Sequence, residues 1–138
     1  MRRTASWMAV AAIGLATATA AGCNDRISQC NALIGVINEE QAKHKDLNGD
    51  SAEELRKLGD ALDNSSKRIG DTQVKDEKLK AFRDEYKALC EDLAKAARET
   101  AAAGEDGKKR EEAAKVMQSI GPREDRLVSD INAFCGGT

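Results

Sequence analysis

Residues 76–100, DEKLKAFRDEYKALCEDLAKAARET, decide the fold of this chain. Mostly apolar side chains recur there every three or four positions, the spacing that places them on one face of an α-helix. Acidic residues precede basic ones by four positions at Asp76–Lys80 and Glu91–Lys95, a pattern that favours a solvated helix face. The stretch therefore predicts a long amphipathic helix that begins near Asp76. Its buried face comprises Leu79, Phe82, Tyr86, Leu89, Leu93, Ala96 and Thr100.

Two more helices are predicted before this one. The first runs from about Arg26 to Lys45 and ends at Asn48-Gly49-Asp50, since Gly and Asn tolerate left-handed backbone. Its apolar stripe is Ile27, Cys30, Ile34, Ile37, Gln41 and His44, widened by Leu33 and Val36. The second helix starts at Ser51, where Ser51-Ala52-Glu53-Glu54 has the form of a capping box, and Gly70 closes it. Its stripe is Leu55, Leu58, Leu62, Ser65 and Ile69.

A fourth helix follows the break at Gly104 to Gly107. Its stripe is Ala113, Met117, Ile120, Leu127, Ile131 and Phe134. Gly121-Pro122 interrupts the pattern, and because proline removes a backbone hydrogen bond and clashes with the preceding turn, we expect a kink or a short break there. The stripe resumes in phase beyond the proline, which favours a kinked helix.

These four segments predict an all-α protein. The chain has one proline and no long run of period-two alternation, so strands are not expected. Short loops force neighbouring helices to run antiparallel, and the simplest result is an up-down-up-down four-helix bundle. A three-helix bundle, or two loosely joined hairpins, remains the alternative.

The N-terminal residues have the features of an export signal. Arg2 and Arg3 precede an apolar stretch, and no further charge occurs before Asp25. Such a segment is typical of a secretory signal peptide, and its apolar part is too short for a membrane-spanning helix. The segment Ala20-Ala21-Gly22-Cys23 resembles the lipobox of bacterial membrane lipoproteins, with Ala20 where Leu is usual. The resemblance covers residues 1–23 alone.

The resemblance implies a signal peptide at residues 1–22 and a lipid-anchored domain at residues 23–138. In that family the precursor is cut before the cysteine, so Cys23 would carry the lipid and tie the protein to the membrane of the cell envelope. Asn24 follows Cys23 in place of the Asp that retains enteric lipoproteins in the inner membrane, which favours the outer membrane. Ordinary cleavage at Ala18-Thr19-Ala20 is the alternative and would yield a secreted protein.

Export would place the remaining cysteines in an oxidising compartment, where disulfides persist. In an up-down bundle with an even number of helices the chain ends lie together, which predicts a Cys30–Cys135 disulfide. Cys90 lies about 14 residues along the third helix, roughly 20 Å from that end, and is expected to be a free thiol. Its pairing with Cys30 or Cys135 remains possible if the helices pack otherwise.

The sequence lacks the patterns that several function classes require. Lys and Arg (22) and Asp and Glu (24) are interleaved without a basic patch, so no nucleic-acid partner is expected. His44 is the only histidine, which excludes the Glu-x-x-His pairs of di-iron bundles and the usual catalytic zinc sites. Asp46-Leu47-Asn48-Gly49-Asp50 has the first spacing of a calcium loop, but Ser51 and Lys57 stand where that loop needs Gly and Glu. We expect no metal, no cofactor, no small-molecule substrate and no catalytic site.

The remaining hypotheses concern binding. The first is a non-enzymatic envelope lipoprotein whose bundle contacts another protein or an envelope polymer. The alternative is a carrier of a small ligand or metal that uses the bundle interior, with Cys90, Tyr86 or His44 lining a cavity.

Overall fold

The computed structural model describes residues 21–47 and 49–136, and for residues 21–24 it describes the backbone alone. The predicted signal residues 1–20, the side chain of Cys23 and the turn residue Asn48 lie outside this description. The described chain forms four helices and confirms the predicted all-α four-helix bundle. They are α1 (Ala21–His44), α2 (Ala52–Gly70), α3 (Glu77–Ala103) and α4 (Gly107–Gly136).

Side-chain pairs between α2 and α3 show that these helices run antiparallel. Arg98, near the end of α3, lies 2.8 Å from the carboxylate of Asp60, in the middle of α2. Ser66 of α2 donates a hydrogen bond of 3.0 Å to Glu91, in the middle of α3. The two largest helix interfaces are α2–α3 and α3–α4, so α3 is the central element of the bundle.

The same antiparallel relation holds for the other neighbours. Arg123 of α4 lies 2.8 Å from Asp92 of α3. At the end of the bundle that holds the start of α1 and the end of α4, Gln29 of α1 accepts backbone hydrogen bonds from Lys75 and Asp76, in the connection between α2 and α3. The topology is therefore up-down-up-down, as predicted.

Local sequence accounts for where α2 and α3 begin. The Ser51 hydroxyl accepts a hydrogen bond from the Glu54 amide at 3.1 Å, and Glu54 accepts one from the Asp50 amide at 2.9 Å. This is the predicted capping box, except that the acid reaches one residue further back. Asp76 caps α3 by accepting from the amide of Lys78 at 2.8 Å.

Helix α4 continues through Pro122 without interruption. The short break considered from the sequence is therefore wrong, and the kink stays a prediction. Proline leaves the carbonyl of Gln118 without its helical partner. Since Gln118, Gly121 and Pro122 are all exposed, water can bond this carbonyl and the interruption is tolerated.

The core divides into two clusters. The disulfide-end cluster draws on all four helices and on the connection before α3: Cys30, Leu33, Ile37, Ile69, Val74, Leu79, Phe82, Tyr86, Cys90, Leu127 and Ile131. The distal cluster draws on α2, α3 and α4: Leu55, Leu58, Leu62, Leu89, Leu93, Ala94, Ala97, Ala101 and Ile120. Leu47, just after α1, packs against the distal cluster. Because α1 ends at His44, the bundle is four helices thick at one end and three at the other.

The predicted stripes of α2 and α3 are buried except at half-buried Thr100, whereas the stripe of α1 is rotated. Leu33 is fully buried, while Ile27 and Ile34 are only partly buried. Apolar residues occur on two sides of α1, so the three-to-four spacing alone did not decide which side faces the core. In the described part of the chain no helix combines the length and apolarity that a membrane crossing requires.

Helix α2 packs closely against α3 at Gly59. A Cβ atom there would lie 3.0 Å from Cγ of Arg98 and 3.3 Å from the carbonyl oxygen of Ala94. Gly35 of α1 is different, since a Cβ atom there would meet nothing within 4 Å. The two glycines form a matched pair for testing the α2–α3 packing.

We expect Gly35→Ala to raise the free energy of unfolding by about 0.5–1 kcal/mol, the cost of glycine in a helix interior. Gly59→Ala should give no gain, because the new methyl group must displace Arg98 and press on the Ala94 carbonyl. Urea denaturation of both variants measures the difference. Equal stabilisation by the two substitutions would contradict the close packing at Gly59.

Candidate functional site

Seven polar residues form a layer across the bundle between the two core clusters. This polar layer comprises Glu40, Gln41 and His44 of α1, Ser65 and Arg68 of α2, Tyr86 of α3 and Glu124 of α4. In α2, Ser65 lies between Leu62 of the distal cluster and Ile69 of the disulfide-end cluster. In α4, Glu124 lies in the same way between residues of the two clusters.

The carboxylate of Glu40 is the buried charge of this layer, with a side chain that is only 4% exposed. It accepts hydrogen bonds from Lys43 at 2.6 Å, from Ser65 at 2.8 Å and from Arg68. Burial opposes ionisation of Glu40, but the bonds from Lys43 and Ser65 and the charges of Lys43 and Arg68 outweigh it and lower its pKa. Glu40 therefore stays ionised and joins α1 to α2.

His44 completes a chain of hydrogen bonds that begins at Glu40. Its Nε2 lies 2.8 Å from the Ser65 hydroxyl, which donates to Glu40. A hydroxyl has one proton, so the proton between Ser65 and His44 must come from Nε2. Nδ1 then carries a lone pair, and this atom is buried with no hydrogen-bond partner among the described residues. Burial lowers the pKa of His44 and Lys43 adds to the effect, against the attraction of Glu40, so the ring is neutral near pH 7.

Tyr86 and Glu124 form the other half of the layer. The Tyr86 hydroxyl donates to Glu124 at 2.6 Å, and the Gln41 amide donates to the Tyr86 oxygen at 2.8 Å and to Glu124 at 2.9 Å. Burial, together with the carboxylate of Glu124, raises the pKa of Tyr86 far above its ordinary value, so the phenol keeps its proton. This triangle joins α1, α3 and α4.

Cys90 lies one turn beyond Tyr86 on α3 and is buried. It forms no disulfide within the described chain. Burial, followed by the charges of Glu124, Glu40 and Glu91, raises its pKa to about 12. The thiol is therefore protonated at neutral pH and has little nucleophilic character.

The predicted pair Cys30 and Cys135 is joined by a disulfide, with the Cα atoms 5.8 Å apart. Cys30 is buried, and the neighbouring Phe134 packs edge-on against Phe82 with ring centroids 5.9 Å apart. The guanidinium of Arg26 covers the Phe134 ring at 5.3 Å. The bond ties the start of α1 to the end of α4.

Two pockets of the described residues lie away from the polar layer. One is a shallow groove of about 540 Å³ between the outer faces of α2 and α3, lined by charged and polar residues such as Lys67, Asp71 and Lys87. The other, between α1 and α4, is only about 10 Å³, the space of a single water molecule at most. Cys90, Tyr86 and His44, the residues considered for a carrier cavity, line neither pocket.

The polar layer contains two acids, Glu40 and Glu124, whose place in it the sequence did not predict. The adjacent acids Asp84-Glu85 and Glu91-Asp92 are exposed, but Glu40 is buried and its position was not predicted. It lies three residues after Ile37 and seven after Leu33, so its helical position was the available signal.

The described residues contain no group of three ligands able to hold a metal ion, and Asn48 of the calcium-like pattern lies outside the description.

Comparison with protein-family models, with curated proteins and with solved structures finds no match to this chain. The functional interpretation therefore rests on the residues and contacts described above.

Ser65 and Ser66 provide a matched test of the layer. Ser65→Ala removes the partner of both His44 and Glu40 in a buried site, and we expect it to lower the free energy of unfolding by about 1–3 kcal/mol. Ser66 donates to Glu91, whose side chain is 51% exposed, so water replaces the bond and Ser66→Ala should cost less than about 1 kcal/mol. Urea denaturation at pH 7 measures both. A Ser65 variant as stable as the Ser66 variant would contradict the role of the layer.

Proposed function

We propose that this protein is an envelope lipoprotein, held to the membrane by a lipid on Cys23, whose bundle is a non-enzymatic structural or protein-interaction module. The observation that carries the proposal is the combination of the segment Ala20-Ala21-Gly22-Cys23 with the Cys30–Cys135 disulfide. A disulfide between the chain ends is what an oxidising compartment outside the cytoplasm permits, and export is what the N-terminal segment implies.

The position of Cys23 in α1 sets the distance between the lipid and the bundle. Seven residues separate Cys23 from Cys30, about 10 Å along a helix axis. The lipid would therefore hold the disulfide end close to the membrane surface. The loops at residues 45–51 and 104–106 belong to the opposite end and would extend toward partners.

The state of the buried polar groups supports a non-enzymatic role. Glu40, Tyr86 and Glu124 are each engaged by side chains of other helices. The Cys90 thiol is protonated and buried. A general base or nucleophile must reach its substrate, and these groups instead bond or pack within the bundle.

The described surface favours a polar contact with a partner. Among the side chains that the structure describes, Val116 in the first half of α4 is the one large apolar group that is well exposed, at 41%. Exposed acids and bases form pairs along the helices, such as Lys57 with Glu53 and Lys115 with Glu111. A partner protein or envelope polymer would therefore be recognised by complementary charge and hydrogen bonding. The outer membrane, suggested by Asn24, is part of the same proposal.

Lipid attachment is tested by expressing the full chain in a bacterium that processes lipoproteins. We expect metabolic labelling with palmitate and an intact mass that corresponds to cleavage before Cys23 with added acyl chains. Cys23→Ser should remove the label and leave uncleaved precursor. Ala20→Leu, which restores the usual lipobox residue, should label at least as well, and Cys90→Ala serves as the control that retains the label.

Cleavage without lipidation would give a different product that the same measurements identify. An unlabelled chain that starts at Ala21, formed equally from Cys23→Ser, would show ordinary signal cleavage and a secreted protein.

If lipidation holds, a photoreactive residue at exposed Glu105 should form discrete crosslinked products on intact cells. An absence of crosslinked products there and along the exposed helix faces would contradict the interaction module.

A further inference from the structure

Helix α1 is held to the bundle in two different ways along its length. Its apolar contacts with the core come from residues 30–37, next to the disulfide. From Asn38 to His44 the helix adds no side chain to either apolar cluster. This last part is held by hydrogen bonds and charges of the polar layer, and Leu47 is the next apolar contact.

We propose that the polar layer holds the end of α1 against the bundle in a pH-dependent way. Protonation of His44, and in more acid solution of Glu40, releases residues 38–47 from α2, α3 and α4, while the disulfide keeps the start of α1 in place. The device is a local opening of one helix end. It uses the only histidine of the chain.

The surroundings of His44 disfavour its charged form. On α1 it is flanked by Lys43, which repels a second positive charge, and by Glu40, which attracts it. From α2 it meets the Ser65 hydroxyl, and Arg68 of the same helix is already bonded to Glu40. A proton added to Nδ1 would enter a buried position with no acceptor among the described residues.

Cys90 of α3 and Glu124 of α4 also face this region. The charges of both Glu40 and Glu124 act on the Cys90 thiol, which places these groups near one another. Neither supplies a described hydrogen bond to His44. The carboxylate of Glu40 attracts a charged ring, but no helix of the layer offers a described acceptor to a proton on Nδ1.

The sign of the pH effect follows from linkage. A released His44 takes up its proton near the ordinary value of 6.5, whereas burial lowers the pKa of the bound ring. Below about pH 6.5 the released state therefore binds more protons than the closed one, and the closed state loses stability as the pH falls. One proton changes the opening equilibrium by at most about tenfold per pH unit.

Glu40 extends the effect to lower pH. Its pKa lies below the ordinary 4.5, so its bonds stabilise the closed state above about pH 4.5 and are lost as the pH falls through the lowered value. His44 thus responds first and Glu40 second. Both changes act in the same direction.

Opening exposes Cys90, which provides the readout. Cys90 is 4% exposed in the closed state; it shares a cluster with Ile37, which adjoins the released segment, and the charge of Glu40 within that segment acts on its thiol. The full chain is pulsed with 2,2′-dipyridyl disulfide, a thiol reagent that reacts in acid, at intervals from pH 7.5 to 5.0. Mass spectrometry of the peptide that carries Cys90 gives the rate, divided at each pH by the rate in urea.

We expect the normalised rate at Cys90 to rise below pH 6.5, with a slope of no more than one decade per pH unit. His44→Gln, which keeps an amide donor in place of Nε2–H, should flatten the slope to less than about twofold over this range, since no proton is then taken up. Glu39→Gln is the control, because Glu39 also bonds Arg68 but is 64% exposed, and it should keep the slope of the parent chain.

A flat parent profile, or an unchanged slope in His44→Gln, would overturn the proposal. So would a loss of far-UV helical signal in parallel with the rate, because that is global unfolding. If His44→Gln is already open at pH 7.5, an NMR titration of the parent chain decides instead. The single histidine must then titrate below 6.5, and a value at or above 6.5 would overturn the proposal.

Discussion

The ionised carboxylate of Glu40 is the constraint on which the arrangement of α1 depends. A buried charge is costly unless it is paired and hydrogen-bonded, and the partners of Glu40 come from its own helix and from α2. Only one alignment of α1 against α2 satisfies them together. Removing a partner leaves an uncompensated charge, so the layer selects this alignment more strongly than it adds to stability.

The second half of the polar layer extends this alignment to the other helices. Gln41, one residue after Glu40, joins Tyr86 and Glu124 in a triangle that reaches α3 and α4. The layer thus lies between the two apolar clusters and sets the register of α1 against α2, α3 and α4. Together with the disulfide, it determines where α1 lies on the three-helix part of the bundle. We propose that the same bonds make the end of α1 the part most sensitive to acid.

Much of this fold was predictable from the sequence. The stripes around Leu62 and Leu89 gave the cores of α2 and α3, and the capping box at Ser51 gave a helix start. The Cys30–Cys135 bond followed from the even number of helices, because an up-down bundle then has the start of its first helix and the end of its last helix at the same end. These features depend on local spacing and on topology, which a single sequence contains.

The polar layer was not predictable in the same way. Charged residues are rarely buried, so Glu40 is assigned to the surface unless its partner on α2 is known. That partner, Arg68, lies 28 residues away, and Glu124 meets Tyr86 across a separation of 38. Helix α1 adds a second difficulty because apolar residues occur on two of its sides. Its orientation is decided by tertiary contacts, and no local pattern encodes them.

The proposed lipid on Cys23 would orient the bundle relative to the membrane. The end of the bundle that the lipid would hold at the membrane is closed by the Cys30–Cys135 bond, whereas the far end of α1 is held by ionisable groups. A change in α1 would then occur at the polar layer, away from the membrane, and would leave the anchored end unchanged. The bundle would thus have a fixed base and one helix end that responds to pH.

Residue-resolved hydrogen exchange of the folded chain at pH 7 tests this division of α1 most directly. The account predicts that amides of residues 38–44 exchange through a local opening of lower free energy than amides of residues 33–37 and of the α3 core around Leu93. It also predicts that this free energy falls when Ser65 is replaced by alanine, while the disulfide end is unaffected. Uniform protection along α1, equal to that of α3, would contradict the account.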